Sequence, residues 1–320
     1  MPTVLLADYA KLDPETFRRV LGPDYDVQVR ELDTEAALVD AVREIGADAV
    51  ITEPGTPVSR ATIDTLSLRV VARPAIGVNG IDLDAAAAAG VTVLNCAEYC
   101  TDEVATHALA LLLDCVRSIS AYDRSVVQGE WSWEATRELH RLRDRTIGLL
   151  AFGPIARRFA ELVSGFDCPI LAYDPYIDDE TMAAYGVEAV DFDELCDKAD
   201  VLSVHAPLTG ETRGMVDAAA LSRLGPGAIV VNTGRGAVVD EDALVRALDD
   251  GTVAAAGLDV LAVEPPEDSP LVGHDDTTVT PHAGWYSAEA RATVNETIAT
   301  DVKRVFDGQR PKNDVQKLWF

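Results

Sequence analysis

The stretch Thr146–Ala156 (TIGLLAFGPIA) decides the fold of this chain. It starts with an apolar run that predicts a buried strand, and it continues through a short loop into a helical segment. Loops that bind a dinucleotide require small residues at the turn, beside the pyrophosphate, and where helix and strand pack. Ala151, Gly153 and Ala156 occupy these three places, and Pro154 suits the first turn of a helix. The stretch therefore predicts a strand, a turn and a helix that together bind a dinucleotide.

A carboxylate at the end of the next predicted strand supports this interpretation. Asp174 directly follows Ile170–Tyr173 and lies 21 residues after Gly153. A carboxylate at that place can accept hydrogen bonds from both ribose hydroxyls, and it repels a 2′-phosphate. NAD is therefore favoured over NADP as the cofactor. The alternative is a βαβ unit without nucleotide, in which Asp174 is an ordinary turn residue.

Outward from this stretch, short apolar strands alternate with helical segments, which predicts parallel sheets covered by helices. The strands predicted before it are Val4–Ala7, Val27–Glu31, Ala49–Thr52, Val70–Ala72 and Val91–Asn95. The strands predicted from it onward are Thr146–Ala151, Ile170–Tyr173, Val201–His205, Ala228–Asn232, Ala255–Asp259 and Thr277–Thr280. The six strands of the second series suffice for a complete doubly wound sheet.

The helical segments indicate how the chain is divided. Val104–Val116 is apolar almost throughout, which predicts a helix buried on most sides. A last helix over Ala288–Asp307 comes after the second sheet is complete, so we expect it to pack on the first domain. The chain is thus expected to be an α/β protein with two doubly wound domains. Residues 1–98 and 288–320 form a discontinuous substrate domain, and residues 99–287 form the nucleotide-binding domain inserted in it.

Composition narrows the protein class. The chain has 320 residues, of which 48% are hydrophobic, enough for two domains with full cores. It shows no apolar run of the ~18 residues that cross a bilayer and no signal-type start, so a cytoplasmic protein is expected. Cys96, Cys100 and His107 could form a metal set, but no second close ligand pair completes it, so no metal is expected. A disulfide framework is not expected either, because the five cysteines are scattered: Cys96, Cys100, Cys115, Cys168 and Cys196.

The net charge is −27, from 54 acidic and 27 basic residues. This charge argues against binding of nucleic acid or anionic membranes by the general surface. The acidic residues are dispersed and lysines number only five, as in proteins of salt-loving organisms, where counterions screen the self-repulsion. We therefore hypothesise a high-salt cytoplasm. Unfolding measured over a wide range of KCl concentrations tests this, because equal stability throughout would contradict it.

Three segments at predicted strand ends carry chemistry. Hydride transfer to a 2-keto acid requires a cation for the carboxylate, a proton donor for the carbonyl oxygen, and an anion that orients the donor. Arg235, Glu264 and His282 supply these groups. Singly, they could be a surface ion pair, a solvated acid and a capped loop histidine. At the ends of successive strands they favour function, because ligands gather there in such folds.

Longer motifs extend over nearly the whole chain. They are Ala72–Asp82, Glu98–His107, His205–Thr209, Asn232–Asp240, Gly257–Val260, Glu264–Pro266 and Pro281–Ser287. In these motifs the chain resembles the D-isomer-specific 2-hydroxyacid dehydrogenases, most of all the branch of C-terminal-binding proteins, which is related to phosphoglycerate dehydrogenases. The resemblance implies a Rossmann NAD-binding domain inserted in a flavodoxin-like substrate domain. It also implies a homodimer joined through the cofactor domains, with the active site between the domains.

The resemblance further implies residue roles in an NAD-dependent interconversion of a 2-keto acid and a D-2-hydroxy acid. Arg235 binds and polarises the substrate, His282 is the acid/base, and Glu264 is its partner. The amides of Ile76, Gly77 and Val78 hold the substrate carboxylate, and Trp285 either covers an apolar substrate side chain or anchors the hinge. The cofactor contacts are expected at Thr101, Gly153, Pro154, Ile155, Asp174, His205, Pro207, Thr209, Thr233, Gly234, Asp259, His282 and Gly284.

The chain departs from the family pattern in two loops. Ala151 replaces the usual first glycine, and Pro154 stands where an arginine is common. In the first domain, Pro74-Ala75 and Asn79-Gly80 stand where Ala-Gly and Asp-Asn are usual. None of these changes removes Arg235, Glu264 or His282.

Two other functions remain open. One is an NAD(H)-gated, corepressor-like binding protein with the same fold. The other is a formate dehydrogenase of the same superfamily, but there a glutamine takes the place of the histidine's partner, and Glu264 argues against it. A phosphoglycerate-type substrate would require extra cations in the first domain, where Arg73 is the only obvious candidate.

Overall fold

The computed structural model describes residues 1–315 and consists of two compact units. The first unit is Met1–Tyr99 together with the chain from Ser287, and the second is Cys100–Tyr286. The boundaries expected from the sequence differ from this division by one residue at each crossing.

All strands of both sheets run parallel to their neighbours. Numbered along the chain, the strands of the first unit are β1 (Thr3–Ala7), β2 (Asp26–Arg30), β3 (Ala49–Ile51), β4 (Val70–Ala72) and β5 (Thr92–Leu94). Those of the second unit are β6 (Ile147–Leu150), β7 (Ile170–Tyr173), β8 (Glu188–Ala189), β9 (Val201–Val204), β10 (Ala228–Asn232), β11 (Val253–Leu258) and β12 (Thr277–Val279). The α/β fold of two parallel sheets expected from the sequence is confirmed.

The helices up to β6 are α1 (Pro14–Leu21), α2 (Glu35–Ile45), α3 (Arg60–Thr65), α4 (Leu83–Ala89), α5 (Thr101–Arg117) and α6 (Ile119–Val127). Those after it are α7 (Pro154–Val163), α8 (Asp179–Ala183), α9 (Phe192–Lys198), α10 (Ala218–Arg223), α11 (Glu241–Asp249) and α12 (Ala288–Phe306). Many begin at an aspartate, serine or threonine whose side chain accepts a first-turn amide, as Thr34 does from Ala37. Within residues 1–315 no single helix is long and apolar enough to span a membrane; α5 and α6 pass that test only together, across a 60° bend.

The sheet of the first unit has the strand order β2-β1-β3-β4-β5. The chain first adds β2 on one side of β1 and then returns to add β3 on the other side, so the order reverses between β1 and β3. Ligands of doubly wound sheets bind outside the carboxyl ends of the strands at such a reversal. The last helix, α12, packs on α1, and the buried Asn295 side-chain amide donates to the Lys11 carbonyl at 2.9 Å.

The sheet of the second unit has the order β12-β11-β10-β9-β6-β7-β8, with the reversal between β6 and β9. The sequence predicted six strands here, and the structure has a seventh. This extra strand, β8, lies at the edge next to β7 and has only two residues, of which Glu188 is exposed. Such a short, partly polar strand leaves no periodic pattern in the sequence.

Helices cover both faces of this second sheet. The residues of β6 are all buried, as expected for a strand packed on both sides. The helix α5 packs on α7 and β11 through Ala108, Leu111 and Leu112, which are at most 3% exposed. Gly257 on β11 permits this contact, because a Cβ there would lie 2.9 Å from the Leu111 Cβ. The near-continuous apolar pattern of α5 is thus explained by its place against the sheet.

Candidate active site

Three catalytic candidates follow adjacent strands at the carboxyl edge of the second sheet. Arg235 follows β10, Glu264 follows β11, and His282 follows β12. The buried Asn232 shapes the first of these loops: its side chain accepts from the Gly234 amide at 3.0 Å and donates to the Arg235 carbonyl at 3.1 Å. The loop therefore holds the Arg235 backbone in one position.

Two glycines let this loop approach its neighbours. A Cβ on Gly234 would lie 2.7 Å from the Ala206 carbonyl oxygen, and a Cβ on Gly236 would overlap the backbone of Leu261 and Ala262. The loops after β10 and β11 therefore touch backbone to backbone. This approach brings the Arg235 loop against the loop that carries Glu264.

His282 and Glu264 form a hydrogen-bonded pair. The distance from His282 Nδ1 to Glu264 Oε2 is 2.7 Å, and the other oxygen of Glu264 accepts from the Leu261 amide at 2.9 Å. A carboxylate can only accept, so Nδ1 carries a proton and the tautomer of the ring is fixed. His282 Nε2 has no hydrogen-bond partner within residues 1–315, and the side chain is 45% exposed. This nitrogen is accessible for proton exchange.

Charges around the pair keep Glu264 ionised. Burial alone would raise the pKa of Glu264. The hydrogen bond and charge of His282, the Leu261 amide and the positive charge of Arg235 outweigh burial and hold this pKa below its ordinary value. Arg235, half-buried, also donates from Nη1 to the Gly234 carbonyl at 2.7 Å. The guanidinium, carboxylate and imidazole therefore act on one another within this unit.

Asp259, at the end of β11, clamps the loop that carries His282. Its carboxylate is 3% exposed and accepts from the Thr280 hydroxyl at 2.7 Å and from the amides of Ala283 and Gly284 at 2.8 and 2.9 Å. His282 itself adopts φ 52°, the left-handed region that costs about 1–2 kcal/mol for a residue with a Cβ. The clamp offsets this strain. Asp259 was expected at the nicotinamide from the resemblance; its oxygens are engaged largely in holding this loop.

Sequence reasoning missed His107, on α5, which completes this clamp. Its Nε2 lies 2.8 Å from the Thr280 hydroxyl and 3.3 Å from Asp259 Oδ1. Since that hydroxyl donates to Asp259, it accepts from His107. The sequence suggested His107 only as a metal ligand, and no group of three or more His, Cys, Asp or Glu side chains within residues 1–315 could hold a metal. The feature that could have pointed to His107 is its position on α5, the helix that packs on β11 and β12.

The turn after β6 fits a dinucleotide. Ala151 adopts φ 73°, which glycine reaches without strain, and this explains the usual glycine at that place. Gly153 caps α7 without a side-chain hydrogen bond, and a Cβ there would meet nothing within 4 Å, so the space before the helix N-terminus, including Pro154 and Ile155, is open. Backbone amides at such a terminus bind phosphate. Asp174 accepts from the amides of Phe152 and Tyr176 at 2.8 and 2.9 Å, which fixes its carboxylate beside this turn.

The remaining cofactor candidates follow strands of the same sheet or begin α5. His205 follows β9, and its Nε2 and Nδ1 lie 2.9 Å from the Ser203 hydroxyl and 3.5 Å from the Thr233 hydroxyl. Thr209 uses its hydroxyl to accept amides of its own turn, and Thr212 closes that turn by donating to the Pro207 carbonyl at 2.6 Å. The other two are the first residue of α5 and a buried glycine after β12, namely Thr101 and Gly284.

His205 makes stability depend on pH. Burial lowers its pKa from 6.5 to about 4, so below pH 6.5 the unfolded chain takes up a proton that the folded chain refuses until about pH 4. Stability is therefore lost as the pH falls through this range, by up to roughly 3 kcal/mol. We expect His205→Gln to lose less stability than the wild type between these pH values in denaturant titrations. The exposed His140→Gln is the control, and an identical loss in His205→Gln and wild type would contradict the expectation.

The first unit contributes a separate candidate, the loop after β4. Within residues 1–315 the backbone amides of Ile76, Gly77 and Val78 donate to no other group, while Asn95 fixes the loop by donating to the Ile76 carbonyl at 2.8 Å. Backbone amides without acceptors are available to bind an anion. Trp285, in the second unit, is half-buried and stacks edge-on against Tyr286 at 5.4 Å.

Arg73 follows β4 directly, and the structure corrects its suggested role. The side chain is 1% exposed. Its guanidinium donates to the carbonyls of Pro54, Thr56 and Asn79 at 2.6, 2.7 and 2.9 Å. It therefore ties the loop after β3 to the loop after β4 and is closed to a substrate phosphate.

The fold and the β6 turn together define a dinucleotide-binding protein of the doubly wound class. The family model described as "D-isomer specific 2-hydroxyacid dehydrogenase, NAD binding domain" matches residues 109–284. The chain therefore belongs to the D-isomer-specific 2-hydroxyacid dehydrogenase family, as the motifs predicted, and carries its NAD-binding domain.

Relatives agree with this assignment. The chain is 38% identical over 313 residues to D-3-phosphoglycerate dehydrogenase of Mycobacterium tuberculosis (strain CDC 1551), a match that covers 97% of this chain and 58% of the relative. The chain thus spans little more than half the length of that relative. The solved TT0316 protein from Thermus thermophilus superposes with a TM-score of 0.88 at 29% identity, covering 98% of this chain and 99% of that one. The apo-structure of Escherichia coli D-lactate dehydrogenase superposes with a TM-score of 0.83 at 26% identity. That match covers 98% of this chain and 99% of the lactate dehydrogenase chain.

Proposed function

We propose that the protein is an NAD-dependent oxidoreductase that interconverts a 2-keto acid and a D-2-hydroxy acid. The observation that carries this proposal is the 2.7 Å contact between His282 Nδ1 and Glu264 Oε2, beside the positive charge of Arg235. These are the cation, proton donor and orienting anion that the reaction requires. Membership of the family supports the same activity.

Each of the three catalytic candidates has its own role in the proposed reaction. His282 Nε2 donates a proton to the carbonyl oxygen in reduction and accepts it back in oxidation. Glu264, held ionised, stabilises the imidazolium that exists before reduction and after oxidation. Arg235 binds the substrate carboxylate through its planar fork and polarises the carbonyl. The amides of Ile76, Gly77 and Val78 in the first unit are the further candidates for binding the substrate carboxylate.

NAD fits the turn after β6, and when bound it supplies or accepts the hydride. The α7 N-terminus at Gly153, Pro154 and Ile155 would hold the pyrophosphate, and Asp174 the adenosine ribose. The rest of the cofactor would contact residues at the start of α5 and after the strands from β9 to β12. These are Thr101, His205, Pro207, Thr209, Thr233, Gly234, Asp259, His282 and Gly284.

We expect NADH to bind more tightly than NADPH. The Asp174 carboxylate is fixed by two amides and repels a 2′-phosphate, so Asp174→Asn should reduce the preference roughly tenfold or more. Fluorescence titration with both cofactors measures this, and Asp179→Asn, an exposed acid on α8, is the matched control. Tighter binding of NADPH by the wild type would refute the role given to Asp174.

A homodimer joined through the second unit is part of the proposal. Large apolar side chains on and after α6 are exposed, including Val127 at 80%, Trp131 at 89% and Trp133 at 80%. Several large apolar side chains exposed within one short segment favour a protein interface there. Light scattering should give twice the chain mass for the wild type and a lower mass for Trp131→Ser/Trp133→Ser; a monomeric wild type would contradict the dimer.

A further inference from the structure

The reversal point of the first unit's sheet carries groups that the proposed reaction has not yet used. Tyr9 follows β1 and Glu53 follows β3, the two strands between which the strand order reverses. Because the sheet is parallel, both residues leave it at its carboxyl edge, where ligands of such sheets bind. Arg73 links this point to the amide loop over 76–78, since it joins the Pro54 carbonyl to that of Asn79.

Glu53 is a half-buried carboxylate at this point. Within residues 1–315 its side chain makes no hydrogen bond and no ion pair shorter than 4 Å. Burial raises its pKa, and Asp33 adds to the rise, while the charge of Arg73 opposes it. Tyr9 lies near enough that Glu53 contributes to raising the Tyr9 pKa after burial. The pair therefore offers hydrogen-bond acceptors and negative charge.

The buried cations near this point already have hydrogen-bond partners, and so does Arg30 at the end of β2, whose Nη1 donates to the Val29 carbonyl at 2.8 Å. Arg73 is buried and donates to three carbonyls. Lys11, beyond the end of β1, is 4% exposed and donates to the Tyr99 hydroxyl at 2.6 Å. Arg60, at the start of α3, lies 3.6 Å from the Asp82 carboxylate. A phosphate or a second carboxylate brought to this edge would be repelled by the Glu53 carboxylate. The buried cations nearby, which are bonded to protein groups, would not offset that repulsion.

We propose that Glu53 sets the substrate class: a 2-keto acid with an uncharged or cationic side chain that donates a hydrogen bond, and not a phosphorylated or dicarboxylic acid. This inference rests on the proposed function, because it assigns the side-chain end of the same substrate. Glu53 is a specificity-determining residue, and Tyr9 is its neighbour. The proposed substrate is unphosphorylated, whereas the relatives named D-3-phosphoglycerate dehydrogenase have a phosphorylated substrate in their names.

The test compares two substrates that differ only in the phosphoryl group, 3-hydroxy-2-oxopropanoate and its 3-phosphate. We expect wild-type kcat/KM, followed by NADH consumption, to favour the unphosphorylated acid by about 100-fold, since the repulsion between like charges is not offset. Glu53→Gln should lower that ratio about tenfold by improving the phosphorylated substrate. Glu44→Gln, an exposed acid near the end of α2, is the matched control and should leave the ratio unchanged.

The possible results of this test affect the inference and the proposed function differently. A wild type that prefers the phosphorylated acid overturns it while the proposed function stands, and so does a ratio that Glu53→Gln leaves unchanged. The wild-type ratio alone decides if Glu53→Gln fails to fold. If the wild type reduces neither acid nor any other 2-keto acid, both the proposed function and the inference resting on it are overturned.

Discussion

His282→Ala should lower kcat/KM for reduction of a 2-keto acid by about 10³-fold, because no other group takes over the proton transfer. His282 Nδ1 is bound to Glu264 and its Nε2 is accessible, so the ring is oriented for a single task. NADH consumption measures the loss. His140→Ala, which removes an exposed histidine of the same unit, should retain wild-type activity.

Loss of activity must be separated from loss of structure. The circular dichroism melt of His282→Ala should remain cooperative and lie close to that of the wild type, because the Asp259 clamp on the loop does not use the His282 side chain. Near-full turnover in His282→Ala would show that the proton comes from another group, and the assignment would be wrong.

Gly236→Ala should reduce the free energy of unfolding by about 3 kcal/mol. A Cβ there overlaps the backbone of Leu261 and Ala262, which cannot move aside as a flexible side chain can. The displaced Leu261 amide is the one that holds Glu264, so activity should fall together with stability. Denaturant unfolding and NADH consumption measure the two effects.

Gly165→Ala is the control for this substitution, because a Cβ on Gly165 meets nothing within 4 Å. It should change the free energy of unfolding by less than about 1 kcal/mol. Equal stability of Gly236→Ala and Gly165→Ala would mean that the loops after β10 and β11 do not touch as described.

Much of the fold could be predicted because hydrophobic runs define the strands. The bounds of Val70–Ala72, Ile170–Tyr173 and Ala228–Asn232 were predicted as the structure has them. Others differ by a residue or two at their ends, where backbone hydrogen bonds, not side-chain pattern, decide the limit. The two-residue strand β8 was missed for the related reason that it has no pattern to detect.

The sequence pointed to the catalytic candidates of the site but not to the residues that hold the His282 loop in place. Arg235, Glu264 and His282 could be selected as candidates from the sequence because each lies in a short motif at the end of a predicted strand. The clamp of His107, Thr280 and Asp259 joins residues that are far apart in sequence, so only packing of α5 on the sheet reveals it.

Arg73 shows the opposite error. Beside the predicted amide loop, its sequence position suggested a cation for the substrate. In the structure its guanidinium is buried and bonded to loop carbonyls. A residue name gives the charge of a side chain, but whether that charge reaches a ligand depends on which acceptors surround it.

The most direct test of the proposed activity is NADH consumption by the wild-type protein against a panel of 2-keto acids at high KCl concentration, with chiral analysis of the product. The arrangement of Arg235, Glu264 and His282 predicts that at least one acid is reduced, with one D-2-hydroxy acid formed for each NADH consumed. A protein that binds NADH tightly but consumes none with any acid of the panel would contradict it.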